Sequence, residues 1–163
     1  MKFVIDSATA LNILDNEISD LLTETYVSSG FTSIQTAKSI FLPQSVRKRG
    51  DIIAARCVDD QRFAGMVIIV TPKSSACRIA NSDESEMHLL ATKPNYQGYG
   101  LGKRLVSAAI DYAKQLGYSK MVLFTQTNML TAHHLYESTG FIRQPDRDFS
   151  QNGKEFWVFE IAF

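Results

Sequence analysis

Chemistry first shows in this sequence at Gln97-Gly98-Tyr99-Gly100-Leu101-Gly102, just before Lys103 and Arg104. Three glycines stand at alternate positions, after an apolar run (Met87 to Ala91) and before a helical pattern. Glycine reaches backbone angles closed to other residues, so successive N–H groups can turn inward around an anion. A helix beginning there adds its own unpaired N–H groups and the positive end of its dipole. Phosphate or pyrophosphate suits such a cradle. On these residues alone, a ligand-free turn from strand to helix is the plain alternative. The dinucleotide pattern G-x-G-x-x-G fails, because its last position falls on Lys103 or Leu105. A Walker A loop fails too, since Gly102-Lys103 is followed by Arg104 and Gln97 stands where the earlier glycine belongs.

A second group lies just upstream. Glu86 and His88 alternate with Met87 and Leu89, so in a strand they share one face. A carboxylate and an imidazole side by side can relay a proton. They can equally be a strand cap and a hydrogen-bonded structural histidine. Cys57 and Cys77 lack metal-ligand or disulfide spacing, and His133 and His134 lack a metal-ligand pattern, so no metal site is expected.

These residues need elements to hold them. Phe3 to Ile5 reads as a strand, and apolar spacing from Ala8 to about Val27 predicts a helix. Thr32 or Ser33 caps a second helix that ends near Phe41-Leu42, before Pro43. Ile52 to Val58 and Phe63 to Thr71 read as an antiparallel hairpin, and Pro72 to Ser85 as a polar loop. Met87 to Thr92 is the next strand. The helix after the glycines presents Leu101, Leu105, Ala109, Ala113 and Leu116, and Gly117 stops it. Met121 to Thr125 is a strand buried on both faces, Leu130 to Ser138 a helix, and two strands complete the chain. The order β-α-α-β-β-β-α-β-α-β-β is that of an α/β protein with a mixed sheet.

The run from Met87 to Gly102 resembles the central motif of the GNAT superfamily of N-acetyltransferases, [QR]-x-x-G-x-[GA], met by Gln97, Gly100 and Gly102. A second block, Asn128 to Ala132 and Leu135 to Phe141, is similar to that family's next motif. The resemblance implies a GNAT-like acyltransferase fold and acetyl-CoA as co-substrate. It implies that backbone N–H groups of Gln97, Gly98, Tyr99, Gly100, Leu101, Gly102 and Lys103 hold the pyrophosphate. Main-chain atoms of Leu90 and Thr92 would pair with the pantetheine arm, which Asn128 would also touch. Lys103 or Arg104 would meet the 3′-phosphate. A backbone N–H near Leu90 would support the developing oxyanion, and Tyr136 would act as general acid. Glu86 or His88 would take the proton of the amine. The acceptor would be a small-molecule or peptide amine, and the region with which the family selects it would here include Tyr26, Phe31, Arg143, Asp146, Arg147, Asp148 and Phe149. A different acyl-CoA, a hydroxyl acceptor, or a CoA-binding sensor without turnover are the rival readings.

Composition bounds the rest. At 163 residues, with 45% hydrophobic and 21% charged, residues 1–163 read as one globular domain. Seventeen basic residues balance seventeen acidic ones, so no global field favours nucleic acid or an anionic membrane. Arg47-Lys48-Arg49 reads as a solvated helix end. No apolar run reaches the ~20 residues of a membrane span, and the N-terminus lacks a signal-peptide pattern. A cytoplasmic location is expected, and a homodimer is open.

Overall fold

A computed structural model describes all 163 residues. Eight strands form one mixed sheet: β1 (Phe3–Ser7), β2 (Asp51–Cys57), β3 (Phe63–Val70), β4 (Glu84–Thr92), β5 (Lys120–Gln126), β6 (Ile142–Arg143), β7 (Phe149–Gln151) and β8 (Lys154–Ala162). Their order across the sheet is β1-β2-β3-β4-β5-β8-β6, with β7 also on β8. Helices α1 (Asp15–Tyr26), α2 (Ile34–Ile40) and α3 (Pro43–Arg47) cover one face, and α4 (Leu101–Gln115) and α5 (Leu130–Ser138) the other.

The period of two along the strands sorts side chains between the faces. Ala54, Ile68 and Val70 meet Ile18, Leu21, Leu22 and Val46, while Ile53, Val67 and Ile69 meet Leu101, Leu105, Val106 and Ala109. Every residue of β3 is buried, as a central strand covered on both sides requires. Leu21 and Leu22 have no exposed surface; each such side chain contributes about 1.5–3 kcal/mol.

Several boundaries differ from the sequence reading. The first helix begins at Asp15, because Asn12 has a φ of 50° and breaks the chain there. Glu17 then accepts the Leu14 N–H at 2.9 Å and fixes the start. Ser33 caps α2 as expected, accepting the Thr36 N–H at 3.1 Å. Pro43 stops α2 but also starts α3, since a proline fits the first turn of a helix. Strand β4 starts at Glu84 rather than Met87, and its acidic residues are buried with partners. The C-terminal part has three strands instead of two. Leu116 is exposed and Val106 takes the expected place on the buried face of α4.

Two irregularities of β4 open the sheet. Its parallel ladder with β5 has only three pairs, Glu84–Lys120, Ser85–Met121 and Glu86–Val122, after which the strands separate. Against β3 the register runs from Ile68–His88 to Met66–Ala91, so β4 carries one extra residue. This bulge centres on Leu89, whose φ of 50° is rare for a non-glycine residue and is tolerated where surrounding structure imposes it.

Candidate active site

The cleft between β4 and β5 has the glycine loop above it. Gly98 and Gly100 adopt left-handed φ values of 81° and 75°, with open space where a side chain would begin. From Gly98 to Lys103 no backbone N–H finds an acceptor within the chain. Six donors in succession at a helix start make a nest with positive potential. Gln97 lies outside it, because its N–H donates to the Pro94 carbonyl at 3.2 Å. Its side chain instead donates to the Thr92 carbonyl at 3.3 Å, tying the loop to the end of β4. Gly102 answers a packing demand: a Cβ there would lie 3.1 Å from Leu135 Cδ2 of α5.

Basic neighbours divide in the same way. Lys103 is exposed and makes no ion pair, whereas Arg104 donates to the Phe3 carbonyl at 3.0 Å and belongs to the fold. Tyr99 is exposed at the loop tip, and Asn128 is exposed on the turn between β5 and α5.

Glu86 and His88 do share a face. Glu86 is fully buried, and His88 Nε2 lies 2.5 Å from its Oε1. The backbone N–H groups of Arg78, Ile79 and Ala80 donate to the same carboxylate at 2.8–3.1 Å, and Cys77 Sγ lies 3.5 Å from it. Burial opposes the charge, but the His88 hydrogen bond and charge and these donors outweigh it and hold the carboxyl at about 2. In neutral His88 an ionised Glu86 fixes the proton on Nε2, which leaves the lone pair on Nδ1. Nδ1 has no partner in the chain.

Two phenols sit nearby. Tyr136, on α5, is buried against Phe141 and Phe159, and its hydroxyl has no hydrogen-bond partner in the chain. Burial raises its pKa well above the ordinary phenol value. Tyr26, at the end of α1, donates to the Leu90 carbonyl at 3.0 Å, and burial and the neighbouring Tyr136 raise its pKa as well. Leu90 and Thr92 are half-buried along the separated part of β4.

Beside His88 the wall is aromatic. Phe124 packs edge-on to His88, Phe149 and Phe156, with centroids 5.4–5.7 Å apart. Arg143 and Asp148 form a bidentate pair at 2.7 and 2.8 Å, and Arg147 bonds Glu84, Glu160 and the Ile79 carbonyl. These charged residues therefore brace the β6–β8 region. His133 Nε2 donates to the Gln126 carbonyl at 3.1 Å and stacks on Trp157, a packing role.

The chain matches the model of the Acetyltransferase (GNAT) family over residues 16–141. It belongs to the GNAT family.

Among curated GNAT relatives, an uncharacterized N-acetyltransferase of Schizosaccharomyces pombe is 46% identical over 56 residues, 34% of this chain and 34% of that protein. Mycothiol acetyltransferase of Renibacterium salmoninarum is 30% identical over 114 residues, 70% of this chain and 32% of that protein. The match thus spans about a third of the length of each relative. Among solved structures, a Bacillus subtilis acetyltransferase in complex with CoA superposes with a TM-score of 0.70 at 21% identity, covering 99% of both chains. That likeness shows the GNAT fold.

Sequence reasoning placed the glycine loop, Glu86 with His88, and Tyr26 in this region. It missed Arg78, Phe124 and Phe156, and it read Arg49 as part of a solvated helix end. Only Phe124 left a trace: a large aromatic, half-buried where its neighbours on β5 are buried.

Proposed function

We propose that this chain transfers the acetyl group of acetyl-CoA to a primary amine by direct attack. The observation that carries this reading is the run of six unsatisfied N–H groups from Gly98 to Lys103, set at the mouth of a cleft between two separating parallel strands. The fit is chemical: a pyrophosphate needs many donors and no side chains, and the loop offers both. The edges of β4 beyond Glu86 and of β5 beyond Val122 face each other without a ladder, which suits the amides of a pantetheine arm. Leu90 and Thr92 would take that arm through their main chains, Asn128 through its side chain, and Lys103 would meet the 3′-phosphate.

Acetyl-CoA supplies the activated thioester when bound. The protein's part is to move two protons. His88 Nδ1 accepts the proton of the attacking amine, which makes nitrogen a nucleophile at neutral pH. Glu86 is the positioning residue: it stays ionised, holds the Nε2 proton and steadies the imidazolium. It is too firmly engaged to be the base itself. The Tyr136 hydroxyl, kept protonated by its raised pKa, donates to the departing thiolate. The carbon–nitrogen bond forms as the carbon–sulfur bond breaks. The remaining excess proton on nitrogen passes to the Tyr136 phenolate and restores the phenol, and His88 releases its proton to solvent. The products are an amide, CoA with its thiol restored and one proton. The acceptor is a small-molecule or peptide amine and the site of action cytoplasmic; no helix is long and apolar enough to cross a membrane.

The test is amine-dependent release of free thiol from acetyl-CoA over a broad amine panel. Turnover supports the enzyme reading, and tight CoA binding with no turnover on any amine would replace it with a sensor. The Tyr136→Phe variant should lose roughly 100-fold in kcat while its Kd for CoA stays near wild type. An unchanged kcat removes Tyr136 from the mechanism.

A further inference from the structure

Most arginines of this protein have their guanidinium satisfied. Arg47 bonds Asp15 and the Ile13 carbonyl, Arg56 bonds three carbonyls, Arg104 one carbonyl, and Arg143 and Arg147 bond carboxylates. Arg49, Arg62 and Arg78 differ, Arg62 being an exposed residue of the β2–β3 turn. None of these guanidinium groups has a hydrogen-bond acceptor or an ion-pair partner in the chain, and Arg78 lies beside the Phe124 ring that packs on His88. Arg78 stands over the rings of Phe124 and Phe149, with its carbon 5.2 and 5.7 Å from the centroids. The same Phe124 packs on His88 at 5.5 Å. One ring therefore carries an unpaired cation and the proposed base. Arg78 also lines a groove of about 390 Å³ with Ile79, Arg147, Phe149, Ser150 and Gln151.

Arg49 approaches from the other side. It precedes β2 and is half-buried, and its carbonyl is held by Ser74 Oγ at 2.7 Å. Its charge acts on the Tyr26 phenol, which is bonded to the Leu90 carbonyl, and on Arg78. Loss of water disfavours the Arg49 charge, and Arg78 adds repulsion. Glu86 does not relieve it, because that carboxylate is turned inward to three N–H groups and His88. Arg78 is exposed and Arg49 half-buried, and with neither paired to a carboxylate an anion reaching both would gain two charge-assisted contacts.

We propose that Arg49 and Arg78 bind an oxyanion of the acceptor, so that the preferred substrate is a primary amine whose own molecule carries a carboxylate or a phosphate. Both groups match the planar fork of a guanidinium, which binds them through paired N–H donors. With the oxyanion on the arginines, the amine is directed past Phe124 toward His88 Nδ1. The aromatic surface of Phe124, Phe149 and Phe156 then takes any apolar part of the acceptor.

This inference rests on the acetyltransferase reading, and its test keeps the two apart. Thiol release is measured at saturating acetyl-CoA for matched acceptors: phenylalanine against phenethylamine, and O-phosphoethanolamine against ethanolamine. The anionic member of at least one pair should have a kcat/KM higher by about 10-fold or more, the range set by hydrogen bonds to a charged group. The pair that shows the preference identifies carboxylate or phosphate as the group recognised. In Arg78→Ala and Arg49→Ala that preference should shrink toward one through a rise in KM, with Arg78→Lys retaining part of it. Equal or better turnover of both neutral amines in wild type overturns the inference and leaves the acetyltransferase reading standing. If no amine turns over, calorimetry of N-acetylphenylalanine against N-acetylphenethylamine on the CoA-loaded protein decides. Selective binding of the carboxylate product, lost in Arg78→Ala, supports the inference, and equal or absent binding of both overturns it. Failure of CoA itself to bind would count against the parent reading.

Discussion

Glu86 shows how one buried charge is kept and what it does for its neighbour. Its folded pKa of about 2 lies below the ordinary carboxylate value of 4.5, so its ionised form favours the fold. That contribution is fully present above about pH 4.5 and is lost as pH falls toward 2. We expect Glu86→Gln to flatten the acid side of a plot of Tm against pH, to lower Tm at pH 7, and to reduce kcat by misdirecting His88. A variant with the acid slope of wild type would show that other carboxylates carry the effect. The alternation of Glu86 and His88 was legible from strand periodicity. Their division of labour was not, because it depends on N–H groups of residues 78–80, in a loop whose sequence has no regular pattern. Arg49 and Arg78 were equally hidden: a missing counter-ion is a fact about space, and a chain with balanced charge gives no sign of where the balance fails locally.

At the scale of elements, the loop from Gly98 to Gly102 combines two different requirements. Gly98 and Gly100 serve backbone direction, while Gly102 serves the contact between α4 and Leu135 of α5. Gly100→Asp should raise the Kd for CoA by about 10-fold or more, since a carboxylate would enter a nest of donors at the positive end of a helix. Gly100→Asn is the control, because asparagine tolerates left-handed angles without the charge. Calorimetry showing equal affinity for CoA in folded Gly100→Asp would remove the pyrophosphate from this loop. Regular elements with clean periodicity, such as α4 and the β2–β3 hairpin, were readable in advance. The start of α1 was not, since apolar spacing continued through Ala8 to Leu14 while Asn12 took a left-handed turn. Strand β4 hid its bulge because Leu89 looks like any strand residue.

The whole molecule is two packed faces on one sheet, and the join at the centre of that sheet is short. The β5–β8 ladder has seven pairs and the β1–β2 ladder five, whereas β4 and β5 share three. The sheet is thus two well-knit halves with a short join. In terms of amide exchange, that join is where the protein should open first. Without CoA, we expect the amides of β5 and β8 to exchange at a rate different from those of β1 to β3 under conditions that favour local opening, measured by hydrogen–deuterium exchange with mass spectrometry. A molecule bridging β4 to β5 would act as the missing rungs of the ladder, so added CoA should slow both halves and bring their rates together. One common rate before CoA is added would show that α4 already binds the halves into a single unit. The splayed strands then have a second meaning: the opening that admits the substrate is also the seam along which the fold comes apart, and occupancy closes both.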